Sequence, residues 1–145
     1  MTFPTFTVEF SPGEDPYDTA SWVDISLKVK SAQWGWGREN ELTKFRTGTA
    51  SLLLYNDDRL FDPQHAAGTY FGLLVPRVPF RIRQGSSDLF YGFVEDGWEQ
   101  VYEPPENAYC RVRLVDLLGV IAAEVLPQSP FEVEVLADTP KAYWR

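Results

Sequence analysis

The residues of this chain best suited to chemistry gather in NDDRLFDP, where Asn56, Asp57, Asp58 and Asp62 place four oxygen-bearing side chains close together. Such a set could ligate calcium. The spacing does not match a twelve-residue calcium loop, which needs a glycine at its sixth position and a glutamate at its last. Asn and Asp also bond their own backbone in turns, so the stretch 56–63, closed by Pro63, reads as a structural turn with no metal. His65 is the single histidine and Cys110 the single cysteine. A nucleophilic triad would need one of them beside a base or an acid, and there is no G-x-S-x-G elbow. Cys110 lies in the alternating run AYCRVRLV, where a small buried hydrophobe is expected; a lone cysteine also precludes an intrachain disulfide. The acidic pairs Glu39/Glu41 and Glu95/Asp96 could imitate a glycosidase pair, but paired carboxylates are common on an acidic surface. GWGRE has two glycines and neither a dinucleotide nor a P-loop pattern. The sequence therefore points away from an enzyme and calls for no cofactor.

Composition sets the next bounds. The net charge is -8 and the pI about 4.6, which disfavours surface binding to nucleic acid, since that requires clustered Lys and Arg. An acidic wall would instead let DNA slide past. Aromatic residues are 15% of the 145 positions, a composition that suits half-buried pleated surfaces. Eleven prolines and ten glycines spread along the chain punctuate it into short segments. No apolar run approaches the ~20 residues of a membrane-spanning helix, and MTFPTFTVEF lacks the basic-then-apolar pattern of a signal peptide.

The elements that would position these residues are mostly strands. Alternation predicts strands over 3–10, 21–29, 32–38, 49–55, 78–83, 89–94 and 109–115, with 98–102 extending the sixth or starting another. In the second of these, Val23, Ile25, Leu27 and Val29 are expected to face a core and Trp22 the outside. Trp34 and Trp36 share a face by the period of two, with Gly35 and Gly37 opposite them as marks of a bulge or close approach. Residues 84–88 form a hairpin turn, and 64–76 an excursion rather than a core strand. Asp116 can cap the one helix candidate, 116–125. Residues 131–136, FEVEVL, alternate again as a last short strand. The expected fold is all-β, a small barrel or sandwich with one short α-helix.

Function is better approached through the tryptophans. Trp22, Trp34, Trp36 and Trp98, with Trp144, exceed what a core of this size needs, and Trp is enriched at protein interfaces. Arg81, Arg83, Arg111 and Arg113, spaced by two on strands, could meet acidic faces of neighbouring subunits; a solvated strand face is the equal alternative.

The ordered succession WVDIS, WGWGRENELTKFRTGTASLLLYNDDRLFDP, VPFRIR, LFYGFVEDGWE and VRLVDLLGVI resembles the N-terminal domain of siphophage minor tail proteins, especially those of actinobacteriophages. Each piece is weak alone; their order over residues 22–121 is fairly specific. The resemblance implies a structural, non-enzymatic virion protein of the tail tip. It would be part of the baseplate hub that closes the tail tube and carries host-recognition modules. It implies a partner in itself, as a ring, with a trimer favoured over a hexamer. Other implied partners are the distal tail, tape-measure and tail-fibre or receptor-binding proteins, with phage DNA only as passing cargo. Assembly would take place in the host cytoplasm. The distal tail protein, a hexameric ring, is a close rival, and a free-standing carbohydrate-binding adhesin module is a further alternative. ADTPKAYWR is similar to the opening of a lectin-like jelly roll. Residues 1–136 are accordingly expected to form the tail-hub-like domain, and 137–145 a linker into a lectin-like domain.

Overall fold

The structure, a computed structural model, describes residues 5–14, 20–37, 46–103 and 107–123. It is all-β with one short helix. Seven strands, β1 (Phe6–Phe10), β2 (Val23–Asp24), β3 (Val29–Gly37), β4 (Arg46–Tyr55), β5 (Pro79–Gln84), β6 (Ser87–Glu103) and β7 (Asn107–Val115), precede α1 (Leu117–Ala123). They form a single antiparallel sheet in the order β2-β1-β5-β6-β7-β4-β3. The sheet curls until its far strands approach: the rings of Phe6 on β1 and Trp34 on β3 meet edge to face at 5.7 Å. The result is a small barrel with an incompletely closed seam between β1 and β3.

Period-two burial explains the curl. Val8 and Phe10 on β1, Phe80 and Ile82 on β5, Leu52 and Leu54 on β4, and Val112 and Leu114 on β7 all point inward and are buried, while Glu9, Arg81, Arg111 and Arg113 take the alternate, outward positions. β5 and β6 join through a two-residue turn. Gln84 pairs with Ser87, and Gly85 supplies the positive φ of 60° that such a turn needs.

β6 is one strand of seventeen residues: of the two alternatives the sequence left for 98–102, it extends the sixth strand. Its first part pairs with β5 and its second with β7. Between them Glu95, Asp96 and Gly97 face the single Arg113, and Gly97 adopts φ 99°. This bulge bends the strand around the barrel corner.

Rings fill the interior. Phe61 stacks parallel to Trp98 at 6.0 Å, and Phe10 and Phe80 close in at 5.9 Å from Phe61 and 5.8 Å from Trp98 respectively. Tyr70, from the long loop before β5, sits perpendicular on Phe10 at 5.0 Å and covers that end of the core. Burying each such ring contributes about 2–3 kcal/mol. The Trp98 indole N–H has no acceptor among the described residues, a polar cost of placing this ring in the stack.

Two expectations need correction. The strand predicted over 21–29 is two residues long. Asp24 Oδ1 accepts hydrogen bonds from both the backbone N–H (2.8 Å) and the hydroxyl (2.5 Å) of Ser26, and this Asx turn diverts the chain into a 3-10 turn, Ser26–Lys28. Leu27, assigned to the core, is 98% exposed on it. The helix α1 covers the described part of the expected 116–125 segment, with Asp116 at its start. It buries Val120 while Leu117 and Ile121 stay half exposed. The strand expected at 131–136 and the segment 137–145 lie outside the described residues, as do Glu39 and Glu41.

Candidate subunit interface

The turn after β4 is built by its own side chains. Asn56 is buried; its Oδ1 accepts the Phe61 N–H at 2.8 Å and its Nδ2 donates to Gln100 Oε1 at 2.6 Å. Gln100 Nε2 returns a bond to the Phe61 carbonyl at 2.8 Å. Asp57 accepts the Ala108 N–H from β7 at 3.0 Å. Asp58 accepts the Leu60 N–H at 3.3 Å and the Lys28 ammonium at 2.6 Å. Burial would raise the Asp58 pKa, but the bonds from Lys28 and Leu60 outweigh it and hold the carboxyl below its usual value. Asp62 accepts Arg59 Nε and Nη2 at 3.0 and 2.6 Å and the Gln64 N–H at 2.9 Å. The Arg59 bond, then the Gln64 N–H, depress the Asp62 pKa.

Every carboxylate of this loop is thus engaged by protein donors, and among the described residues no group of three or more His, Cys, Asp or Glu side chains is arranged to hold a metal. Arg59 sits at φ 56°, a left-handed conformation costing a non-glycine residue about 1–2 kcal/mol; its ion pair with Asp62 helps to hold it there. Pro63 follows on the rim of the turn, half-buried.

The sequence missed Gln100, the amide joining this loop to β6. The signal was present: Gln100 shares inward parity with Trp98 and pairs with Cys110, so a polar residue occupies a core-facing position. Cys110 beneath it is fully buried, and burial pushes its thiol pKa up to about 12, which leaves it protonated and unreactive. His65 lies on the same loop, with Nδ1 3.3 Å from the Arg59 carbonyl.

The four strand arginines each have an acidic partner within the chain. Arg81 Nε meets Glu9 at 2.6 Å, and Arg83 lies 2.9 Å from Asp88 and 3.8 Å from Glu9. Arg111 reaches Glu99 and Arg113 reaches Asp96, both at 3.3 Å. Cross-strand register produces these pairs, since Glu9 opposes Arg81 and Glu99 opposes Arg111. They form a charge ladder on the outer face, and a neighbouring subunit would meet already neutralised arginines. Trp22 lies outside as expected, its ring 4.2 Å from the Arg81 guanidinium and 5.8 Å from Tyr91.

The two tryptophans of β3 differ. Trp34 is half-buried and packs against the core, whereas Trp36 is 62% exposed. Gly48 lets β4 pass beneath Trp36: an added Cβ would sit 3.3 Å from the Trp36 Cβ and 2.9 Å from Asp116 Oδ2. Asp116 uses that oxygen to accept the Gly48 N–H at 2.6 Å and its other oxygen to cap α1 at Gly119. Exposed Leu117, Leu118 and Ile121 of α1 therefore stand at the same end of the barrel as Trp36.

The seam beside β3 is a groove of about 360 Å³ between Phe6, Val8 and Ile82 on one wall and Val29, Ala32 and Trp34 on the other. The edge of β1 is partly covered there: the Val8 N–H donates to Ser26 Oγ and its carbonyl accepts the Ile25 N–H, both at 2.9 Å. Among the described residues β3 pairs only with β4, and its second edge has no strand partner among them.

These features define a curled all-β module whose most reactive-looking residues build its own fold and whose open places are a strand edge and an aromatic rim. Comparison with protein-family models, with curated proteins and with solved structures gives no match.

Proposed function

We propose that this chain is a structural subunit of a siphophage tail tip, part of the hub or ring that closes the tail tube and carries host-recognition modules. The observation that carries the reading is the ordered motif set together with where its pieces fall. WVD leads into β2, the G-x-A segment lies in β4, NDDRLFDP is the turn after it, RIR lies in β5, FYGF in β6, and DLL opens α1. The piece most resembling a ligand site is a turn with its polar groups engaged, which favours a structural over a catalytic role. The open β3 edge and exposed Trp36 are features through which identical subunits could join in a ring. The acidic net charge suits a passage through which DNA moves without sticking. No helix among the described residues is long and apolar enough to cross a membrane.

Its partners in this reading are further copies of itself, with a trimer favoured, and the distal tail, tape-measure and receptor-binding proteins. Immunogold electron microscopy on virions, with antibody raised to this chain, tests the proposal. Label confined to the tail tip is expected, and virions unlabelled there would overturn it. Sedimentation of the purified protein separates the finer alternatives: a trimer supports the hub and a hexamer the distal tail ring. A stable monomer that binds on a glycan array would replace both with a free-standing adhesin module.

A further inference from the structure

We propose that the apolar tip of the loop before β5, residues 71–75, seats in the seam groove of a second copy of the chain. This head-to-tail contact would build the ring, and the inference rests on the ring reading given above. The tip is unlike the rest of the chain. No Asp, Glu, Lys or Arg falls between Asp62 and Arg77. Phe71, Leu73 and Val75 are 52%, 40% and 38% exposed, while Leu74 is buried and Tyr70 packs on Phe10. Tyr70 and Leu74 thus anchor the tip to the core, and the other three side chains stand outward as an apolar patch, a mark of association.

The tip is held in one shape by its own backbone. The Gly68 N–H donates to the His65 carbonyl at 2.8 Å, the Phe71 N–H to the Gly68 carbonyl at 3.1 Å and the Leu73 N–H to the Tyr70 carbonyl at 2.9 Å. From the turn after β1, the Gly13 N–H donates to the Leu73 carbonyl at 3.0 Å. Gly72 makes the bend at φ 76°, a conformation glycine adopts without strain. A plug already fixed in shape pays little ordering entropy on seating.

The groove matches this plug in character. Its walls are the apolar side chains of the seam, with no carboxylate among them. Its one charged residue, Lys30, has its ammonium 3.7 Å from the centre of the Tyr109 ring. Copies of a chain with net charge -8 repel one another, so contact between them is favoured where both faces lack Asp and Glu. The tip and the groove meet that condition together. They also lie apart: the tip is tied to Gly13, past the end of β1, whereas the groove opens beside Phe6 and Val8 in its first half. Two separate complementary patches make a heterologous contact, the kind that generates a ring when the rotation between copies closes.

Cross-linking between two variants of the full chain tests this. Cys110 is fully buried, so an introduced exposed cysteine is the reactive thiol. Leu73→Cys marks the tip and Ser31→Cys the groove; the two proteins are mixed and treated with a short bismaleimide. The mixture is expected to give at least tenfold more covalent dimer than either variant alone. Phe71→Asp should raise the concentration for half-association in sedimentation at least tenfold without changing the melting temperature. Equal cross-linking by one variant alone overturns the proposal, because like patches would then be in contact, and so does unchanged association of Phe71→Asp. Association of the wild type with no cross-link in the mixture overturns it and leaves the ring reading standing. A chain that stays monomeric at every concentration overturns both. If Leu73→Cys shifts the melting temperature, Val75→Cys replaces it and the same comparison decides.

Discussion

The two sides of the barrel solve the same problem in opposite ways. At the turn after β4, Asn56 and Gln100 bond each other and the Phe61 backbone, Asp57 accepts from the β7 backbone, and Asp58 and Asp62 are held by Lys28, Arg59 and loop N–H groups, over a stack of Phe61 on Trp98. Along the seam, β1 has its middle covered by Ser26 and Ile25, while β3 has an edge with no strand partner among the described residues and a half-buried Trp34. The contrast teaches where to look for stability and where for association. A fully hydrogen-bonded loop over packed rings has no capacity left for a partner, whereas an uncovered edge beside aromatic side chains does.

Substitutions can break this contrast, and the greatest effect is expected on the sealed side. Phe61→Ala removes the ring at the centre of the stack and should cost about 3–5 kcal/mol, read as a lower urea midpoint at constant m-value. Asn56→Ala leaves the buried Phe61 N–H without its acceptor and Gln100 without its donor; a loss of about 2–3 kcal/mol is expected in the same assay. Acid should act here too. The Asp62 pKa is held below its ordinary 3.8 by Arg59 and the Gln64 N–H. The folded state therefore binds that proton less tightly than the unfolded one. The stabilisation is complete above the unfolded pKa and is lost as pH falls through the folded value. Urea midpoints should decline below about pH 4, and less steeply in Asp62→Asn.

The open side should respond differently. Trp36→Ala is expected to change monomer stability by no more than about 0.5 kcal/mol while weakening self-association measured by sedimentation; a large stability loss without that weakening would erase the contrast. Arg113→Ala should do least. Its pair with Asp96 is more than half exposed on both sides, and such pairs contribute about 0–1 kcal/mol.

How much of this was legible in the sequence follows from the range of the forces involved. β4, β5, β7 and both ends of β6 could be read because alternation is local and the core enforces it. The turn function of Asn56 to Pro63 was legible for the same reason, since Asx bonds reach only a few residues. Leu27 was misplaced because a single Asp24–Ser26 bond pair outweighs a four-residue alternation; D-x-S was the warning. The arginine pairings were not legible, since Glu9 finds Arg81, and Asp96 finds Arg113, only after strand register and the β6 bulge are set. Gln100 could have been found by asking why a polar residue continued the inward parity of Trp98.

The shared strand β6 also has a consequence in time. Its pairings with β5 and β7 close short loops, through the Gly85–Ser86 turn on one side and the connection after Glu103 on the other. Joining β4 to β7 and β1 to β5 requires chain segments roughly sixty and seventy residues apart to meet, as in Leu52 with Val112 and Val8 with Ile82. Loop-closure entropy makes such encounters slow. The β5–β6–β7 meander should therefore assemble early and serve as the template onto which β4 and β1 add, so that both edges of the seam are the last parts of the barrel to form.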